Sequence, residues 1–254
     1  MANRWWKDLL QRVLPESIII RLQAADHYLN GEPEIRLLPH LCDKAKITLD
    51  IGANIGVYTY FARRYSRHVY AYEANPELAA RLERLFPDVT VRHAAVSDQS
   101  GELVLRIPIE GEQVQHELAS VAEEGGASGE CVEYRVPAHP VDDQELTNVG
   151  FIKIDVERHE LPVMQGAMKT ITACLPVIMS EVSPLLYPRA LPEMFGFLTD
   201  LGYTGWFKFE GKYLPLSQFR GETHANPDLY GKRFMNNNVI FLPGGFDDSF
   251  LRLP

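Results

Sequence analysis

Apolar residues recur along the chain with two periods, and their alternation predicts an α/β domain of βαβ units around a mostly parallel sheet with helices on both faces. Short apolar runs at residues 47–51, 68–72, 89–94, 151–155, 176–181, 203–209 and 238–242 are expected to be strands. Residues 56–65 read as a helix. Asn75 and Pro76 read as an N-cap followed by proline at the first helical position, with Leu78, Leu82, Leu85 and Phe86 as the buried stripe. Met164, Ala167, Met168 and Ile171 face inward on a further helix, and a helix over residues 194–201 closes at Gly202. Runs at 103–109 and 131–136 flank a Glu/Gly/Ser-rich stretch that includes residues 123–126, so a β/loop insertion near residues 102–140, a hairpin over the site, is expected.

Upstream, Trp5, Trp6, Leu9, Leu10, Val13 and Leu14 recur at helical spacing until Pro15, and a second helix runs through Leu22, Ala25 and Leu29 to a stop at Gly31. The first of these needs a cover, which its own domain or a second copy in a homodimer would supply. Interfacial tryptophans also allow weak contact with a membrane surface. The organisation expected is an N-terminal helical extension over residues 1–46 and one domain over residues 47–254.

Composition narrows the class. With 46% hydrophobic and 23% charged residues over 254 positions, the chain has the balance of a globular protein, and the whole of it should fold. A formal charge of -9 argues against a broad nucleic-acid footprint, because such binding depends on clustered Lys and Arg. A small-molecule partner fits better. Cys42, Cys131 and Cys174 lie far apart in no CxxC spacing, which suggests neither disulfides nor a zinc site and makes a cytoplasmic location the default. Ile18, Ile19 and Ile20 form too short a run to span a bilayer.

The chemistry is concentrated in Asp50-Ile51-Gly52-Ala53-Asn54-Ile55-Gly56, with a strand before it, a helix after it, and Glu73 at the end of the next strand. A glycine-rich strand-to-helix turn lets a ligand approach the backbone, and the helix amino terminus favours an anion. Glu73 stands where a carboxylate can accept from both hydroxyls of a ribose. A dinucleotide-binding oxidoreductase shares much of this. Asp50 discriminates, because a carboxylate at the tip of the first strand repels a pyrophosphate and attracts a ligand with an ammonium or sulfonium charge. The pattern therefore points to S-adenosylmethionine (SAM).

The chain resembles the FkbM-type methyltransferase family in that run with Tyr58 and Thr59, and in Val69-Tyr70-Ala71-Tyr72-Glu73-Ala74-Asn75-Pro76. The likeness continues in Ala94-Ala95-Val96-Ser97-Asp98 with Gly101, in Ile152-Lys153-Ile154-Asp155-Val156-Glu157 with His159-Glu160, and in residues 176–181. It implies a Rossmann-like class I methyltransferase fold, seven-stranded with a final antiparallel strand. It also implies SAM as cofactor, S-adenosylhomocysteine as product, and O-methylation of sugars, glycans or natural products. Cofactor contacts are expected from Asp50, Gly52, Ala53, Asn54, Gly56, Tyr58, Glu73, Ala74, Asn75 and Asp155. The resemblance adds Ala95 and Val96 beside the adenine and Asp98 on its amine, although Asp98-Gln99-Ser100-Gly101 also reads as a plain β-turn.

At the reacting end His159 is the first candidate base, since its ordinary pKa of about 6.5 suits neutral pH, with Asp155 and Glu181 as further catalytic candidates and Glu157 and Glu160 nearby. No metal is expected. Tyr187, His224, Arg233 and Asn236 to Asn238 are placed near the rim. One departure stands out: the family carries glycine where this chain has Arg158. A backbone that needs positive φ there would strain arginine by about a kilocalorie per mole or more. That leaves a non-catalytic SAM-binding protein open beside the enzyme and the NAD-dependent oxidoreductase.

Overall fold

The computed structural model describes residues 14–111, 113–115, 119–121, 130–182, 190–224 and 235–252. The tryptophan-bearing segment, residues 123–126, Tyr187 and Arg233 lie outside these residues. Strands are numbered along the chain: β1 is Ile47–Ile51, β2 His68–Glu73, β3 Thr90–His93, β4 Ala95–Val96, β5 Gly101–Glu110, β6 Gln113–Val114 and β7 Ser120–Val121. Then come β8 Cys131–His139, β9 Val149–Ile154, β10 Val177–Glu181, β11 Thr204–Phe209, β12 Lys212–Pro215 and β13 Met235–Leu242.

The main sheet runs β12-β11-β13-β10-β9-β1-β2-β3. Strands β3, β2, β1, β9 and β10 are parallel, and β13 enters antiparallel to β10. Seven of the eight strands are those the hydrophobic runs predicted. The expectation of seven is corrected by β12, which folds back on β11 through Glu210 and Gly211. Both turn residues have positive φ, 48° and 81°, as a two-residue hairpin turn requires.

Helices cover both faces. Leu49 and Ile51 of β1 face a core shared with Val163, Met164, Ile171 and Leu198, from the helices Glu160–Gly166, Met168–Cys174 and Ala190–Asp200. The opposite face packs Ala71, Phe151 and Met179 against Phe61 of the helix Val57–Ala62 and Leu82 of the helix Pro76–Leu85. Ile20 and Ala24, from the helix Glu16–Asn30, and Ile35 and Leu38 join this second core. The helix after β1 is shorter than the expected 56–65, because Arg64 and Tyr65 bond to carbonyls only three residues back. Asn75 caps the next helix as expected, its Oδ1 accepting from the Glu77 backbone N–H at 2.9 Å.

The insertion is more than a hairpin. Strands β5 and β8 pair antiparallel from Gly101↔Ala138 to Pro108↔Cys131, and β4 pairs parallel with β8. This second sheet has its own small core of Ala95, Leu105, Ile107, Val136 and Ala138. Among the described residues, no helix is long and apolar enough to cross a membrane.

Candidate active site

The chain leaves β1 toward β2 on one side and later adds β9 on the other, so the carboxyl ends of β1 and β9 form the crevice where open α/β sheets bind ligands. A half-open cleft with a cavity volume of about 70 Å³ lies there. Its floor and walls are Ile51, Gly52, Asn54, Tyr72, Glu73, Ala74, Leu78, Ala94, Ala95 and Val96, with Leu105, Ala119 and Val121 from the second sheet, and Asp155, Val156, Glu157 and His159 after β9.

Gly52 shapes the floor. Its φ is +79°, and a Cβ there would lie 1.8 Å from the Asp155 carbonyl oxygen, so only glycine lets the two strand ends come together. Asp155 N–H bonds the Ile51 carbonyl at 2.9 Å across this junction. Glu73 closes the tip of β2. One carboxylate oxygen accepts from the Asn54 N–H at 2.7 Å and the other from the Asn75 N–H at 2.8 Å. Burial pushes Glu73 up to about 7, while these two backbone bonds act to lower it.

Asp50 does not line the cleft. Strand alternation turns it away from Leu49 and Ile51 into the opposite layer, where it is 1% exposed and accepts from the Thr59 hydroxyl. Burial raises its pKa, countered first by Lys153, and its Oδ1 has no hydrogen-bond partner. Lys153, on the paired position of β9, is 2% exposed. Its Nζ lies 2.6 Å from Asp155 Oδ2 and 4.5 Å from the centre of the Tyr58 ring. Burial opposes the ammonium, yet Asp155, Asp50 and Glu32 together hold its pKa above the ordinary lysine range. Tyr58 in turn donates to Glu32 Oε2 at 2.6 Å, and the same oxygen accepts from Asn238 Nδ2 at 3.0 Å.

Beside this cluster, burial and then Asp155 push Glu181 up to about 8. Glu181 and Asn238 are register partners across β10 and β13. On the other side, the segment after Asp155 runs toward the second sheet, where Glu157 bridges Ser120 and His159 Nε2 lies 2.9 Å from Ser97 Oγ. Burial pushes Glu160 up to about 8. Arg158 is exposed at φ +65°, the strained conformation that the missing glycine foreshadowed.

The cleft thus brings together Gly52, Asn54, Glu73, Ala74, Ala95, Val96, Asp155 and His159 from the sequence-derived set. It leaves out Asp50, Ala53, Gly56, Tyr58, Asn75, Asp98 and Glu181. Ala53 is buried in the core, and a Cβ on Gly56 would meet Leu82 and Phe86. Asn75 is the helix cap described above, and Asp98 is exposed, accepting from the Ser97 hydroxyl at 3.0 Å. His224 packs its ring against Phe207, Phe209 and Phe219. Leu105, Ala119 and Val121 were missed, as were Lys153 and Glu32. A lone lysine in an otherwise apolar buried strand could have signalled Lys153, since such a charge must be paired. Among the described residues, no group of three or more His, Cys, Asp or Glu is arranged to hold a metal ion.

The family model for the methyltransferase FkbM domain matches residues 50–204, more than half of the chain. The chain belongs to the FkbM methyltransferase family. Its match to the hexuronic acid methyltransferase AglP of Haloferax volcanii is 26% identical over 173 residues, covering 65% of this chain and 70% of that protein. Among solved structures, a methyltransferase FkbM from Methylobacillus flagellatus KT aligns with TM-score 0.48 and 16% identity, over 92% of this chain and 57% of that one. This FkbM chain therefore spans less than two thirds of that protein. A precorrin-6y C5,15-methyltransferase from Geobacter metallireducens GS-15 aligns with TM-score 0.44 and 12% identity, over 84% of this chain and 87% of that one.

Proposed function

We propose that this FkbM methyltransferase uses SAM to methylate a hydroxyl of a sugar or glycan intermediate. The observation that carries the cofactor reading is Glu73, a carboxylate fixed at the cleft wall by two backbone N–H groups with lone pairs to spare for ribose hydroxyls. Beside it, Leu78, Ala95, Val96, Leu105 and Val121 offer an apolar slot suited to a flat purine. The carboxylate of Asp155, at the cleft wall, gives the methionine end its negative surroundings. Bound SAM supplies a methyl group made electrophilic by the sulfonium.

The chain's own part is to hold the acceptor oxygen in line and to receive its proton, and positioning of this kind is worth up to about 7–11 kcal/mol in well-oriented systems. Asp155 and Glu181 are adjacent carboxylates able to take that proton, on the side of β9 away from the purine slot. His159, held against Ser97, stands on the opposite wall as the second candidate. The sugar acceptor rests on the 26% identity to a hexuronic acid methyltransferase.

Calorimetry with S-adenosylhomocysteine tests the cofactor. Wild type should bind it, and Glu73→Ala should weaken it about a hundredfold, as expected for two lost hydroxyl bonds to a charged group. Unchanged binding in that variant would remove the assignment. A radiolabelled methyl-transfer screen over sugars and small molecules then tests the acceptor. Tight cofactor binding with no turnover would favour the non-catalytic reading that Arg158 raises.

A further inference from the structure

A carboxylate from outside the family-matched region joins the buried charge cluster behind the Asp155 wall of this cleft. Glu32 belongs to the N-terminal extension, 18 positions before the family match begins at residue 50. Its Oε2 is bound by Tyr58 OH and Asn238 Nδ2, residues 26 and 206 positions away in sequence. Among the described residues around it, the carboxylates outnumber the cations. Lys153 is the buried ammonium of the cluster, and it already has Asp155 at 2.6 Å and Asp50 on the neighbouring strand. Glu32 adds a further carboxylate to the one buried cation described there, and its field acts on Lys153, on Tyr58 and on Glu181. In a partly desolvated crevice such a surplus acts over several ångströms, because the effective dielectric is nearer 20 than 80.

We propose that Glu32 sets the charge at the sulfur position, so that the extension makes the cleft prefer the sulfonium of the methyl donor over the neutral thioether of the spent product. The inference rests on the SAM reading of the same cleft. It goes beyond anchoring, since an anchor needs only a hydrogen-bond acceptor whereas this role needs the negative charge. A cleft with this bias releases product more readily than it releases the donor.

Glu32→Gln separates the two roles, because the amide oxygen can still accept from Tyr58 and Asn238 while the charge is gone. Calorimetry is run on the full chain with SAM and with S-adenosylhomocysteine, and a thermal melt checks that the variant folds. The expected result is a loss of about fivefold in affinity for SAM with less than about twofold for S-adenosylhomocysteine, the size expected of one unit charge acting through partly screened surroundings. Wild type binding both, with the variant weakened equally for both or for neither, overturns the inference alone. Wild type binding neither compound overturns the cofactor reading and the inference with it. Should Glu32→Gln fail to fold, Glu32→Asp keeps the charge, and a measured SAM preference lower than that of wild type in this variant would likewise overturn the proposal.

Discussion

Gly52→Ala should damage both stability and cofactor binding, and its cost can be worked from the junction of β1 and β9. The new methyl would lie 1.8 Å from the Asp155 carbonyl oxygen, where ordinary contact begins near 3.4 Å, so the strand ends must part by about 1.6 Å (3.4 minus 1.8). That movement breaks the 2.9 Å bond from Asp155 N–H to the Ile51 carbonyl, worth about 1 kcal/mol. The φ of +79° adds about 1–2 kcal/mol for any residue with a Cβ. With the residual overlap, a total of about 3–4 kcal/mol is expected, which for a protein of this size lowers Tm by about 10 °C. Gly245→Ala is the control: its φ is +84°, but its Cβ would meet nothing within 4 Å, so it carries the dihedral cost alone. Calorimetric melts of both variants, with S-adenosylhomocysteine titrations, measure the difference. A Gly52→Ala melt within about 2 °C of the Gly245→Ala melt would show that the strand ends yield cheaply, and the account of the floor would be wrong.

Arg158→Gly should raise Tm by about 2 °C, since relief of about 1–2 kcal/mol at φ +65° exceeds the roughly 0.5–1 kcal/mol that glycine loses in chain entropy. A lower Tm in that variant would mean that the arginine side chain makes stabilising contacts that outweigh the strain. Stability should also fall with rising pH above the ordinary carboxylate range. Glu73 is held up to about 7, and Glu160 and Glu181 to about 8, chiefly by burial, so the folded state keeps protons the unfolded chain has released. Their favourable contribution is full below about 4.5 and is lost as pH passes 7–8. Melts of Glu181→Gln should therefore show a flatter decline than wild type between pH 5 and 8.5, and parallel curves would contradict the assignment for that residue.

What the sequence disclosed was local. Strand β1, its glycine turn and Glu73 lie within 27 residues, and their spacing places both the crevice and the carboxylate at its wall. Strand alternation also contained the orientation of Asp50, because Leu49 and Ile51 are the apolar neighbours that must face one core and so send Asp50 to the other side. Leu105, Ala119 and Val121 were illegible because an inserted sheet brings them to the cleft, and apolar residues in an insertion carry no mark of which wall they build. Glu32 and Asn238 meet across 206 positions, a pairing that no local period encodes.

The inward turn of Asp50 changes how its charge reaches a ligand. A carboxylate buried against Thr59 and Lys153 does not present itself to the open cleft, so the attraction first ascribed to it must be relayed. Lys153 is the relay: it shares its one positive charge between Asp50 below and Asp155 at the cleft wall. Each carboxylate added on the buried side draws on that charge and leaves Asp155 less neutralised toward the ligand. By this argument Asp50→Asn should weaken a cationic ligand by freeing Lys153 to neutralise Asp155 more completely, although the substituted side chain need never touch it. A neutral product analogue would then lose less affinity than the sulfonium, the same discrimination proposed for Glu32.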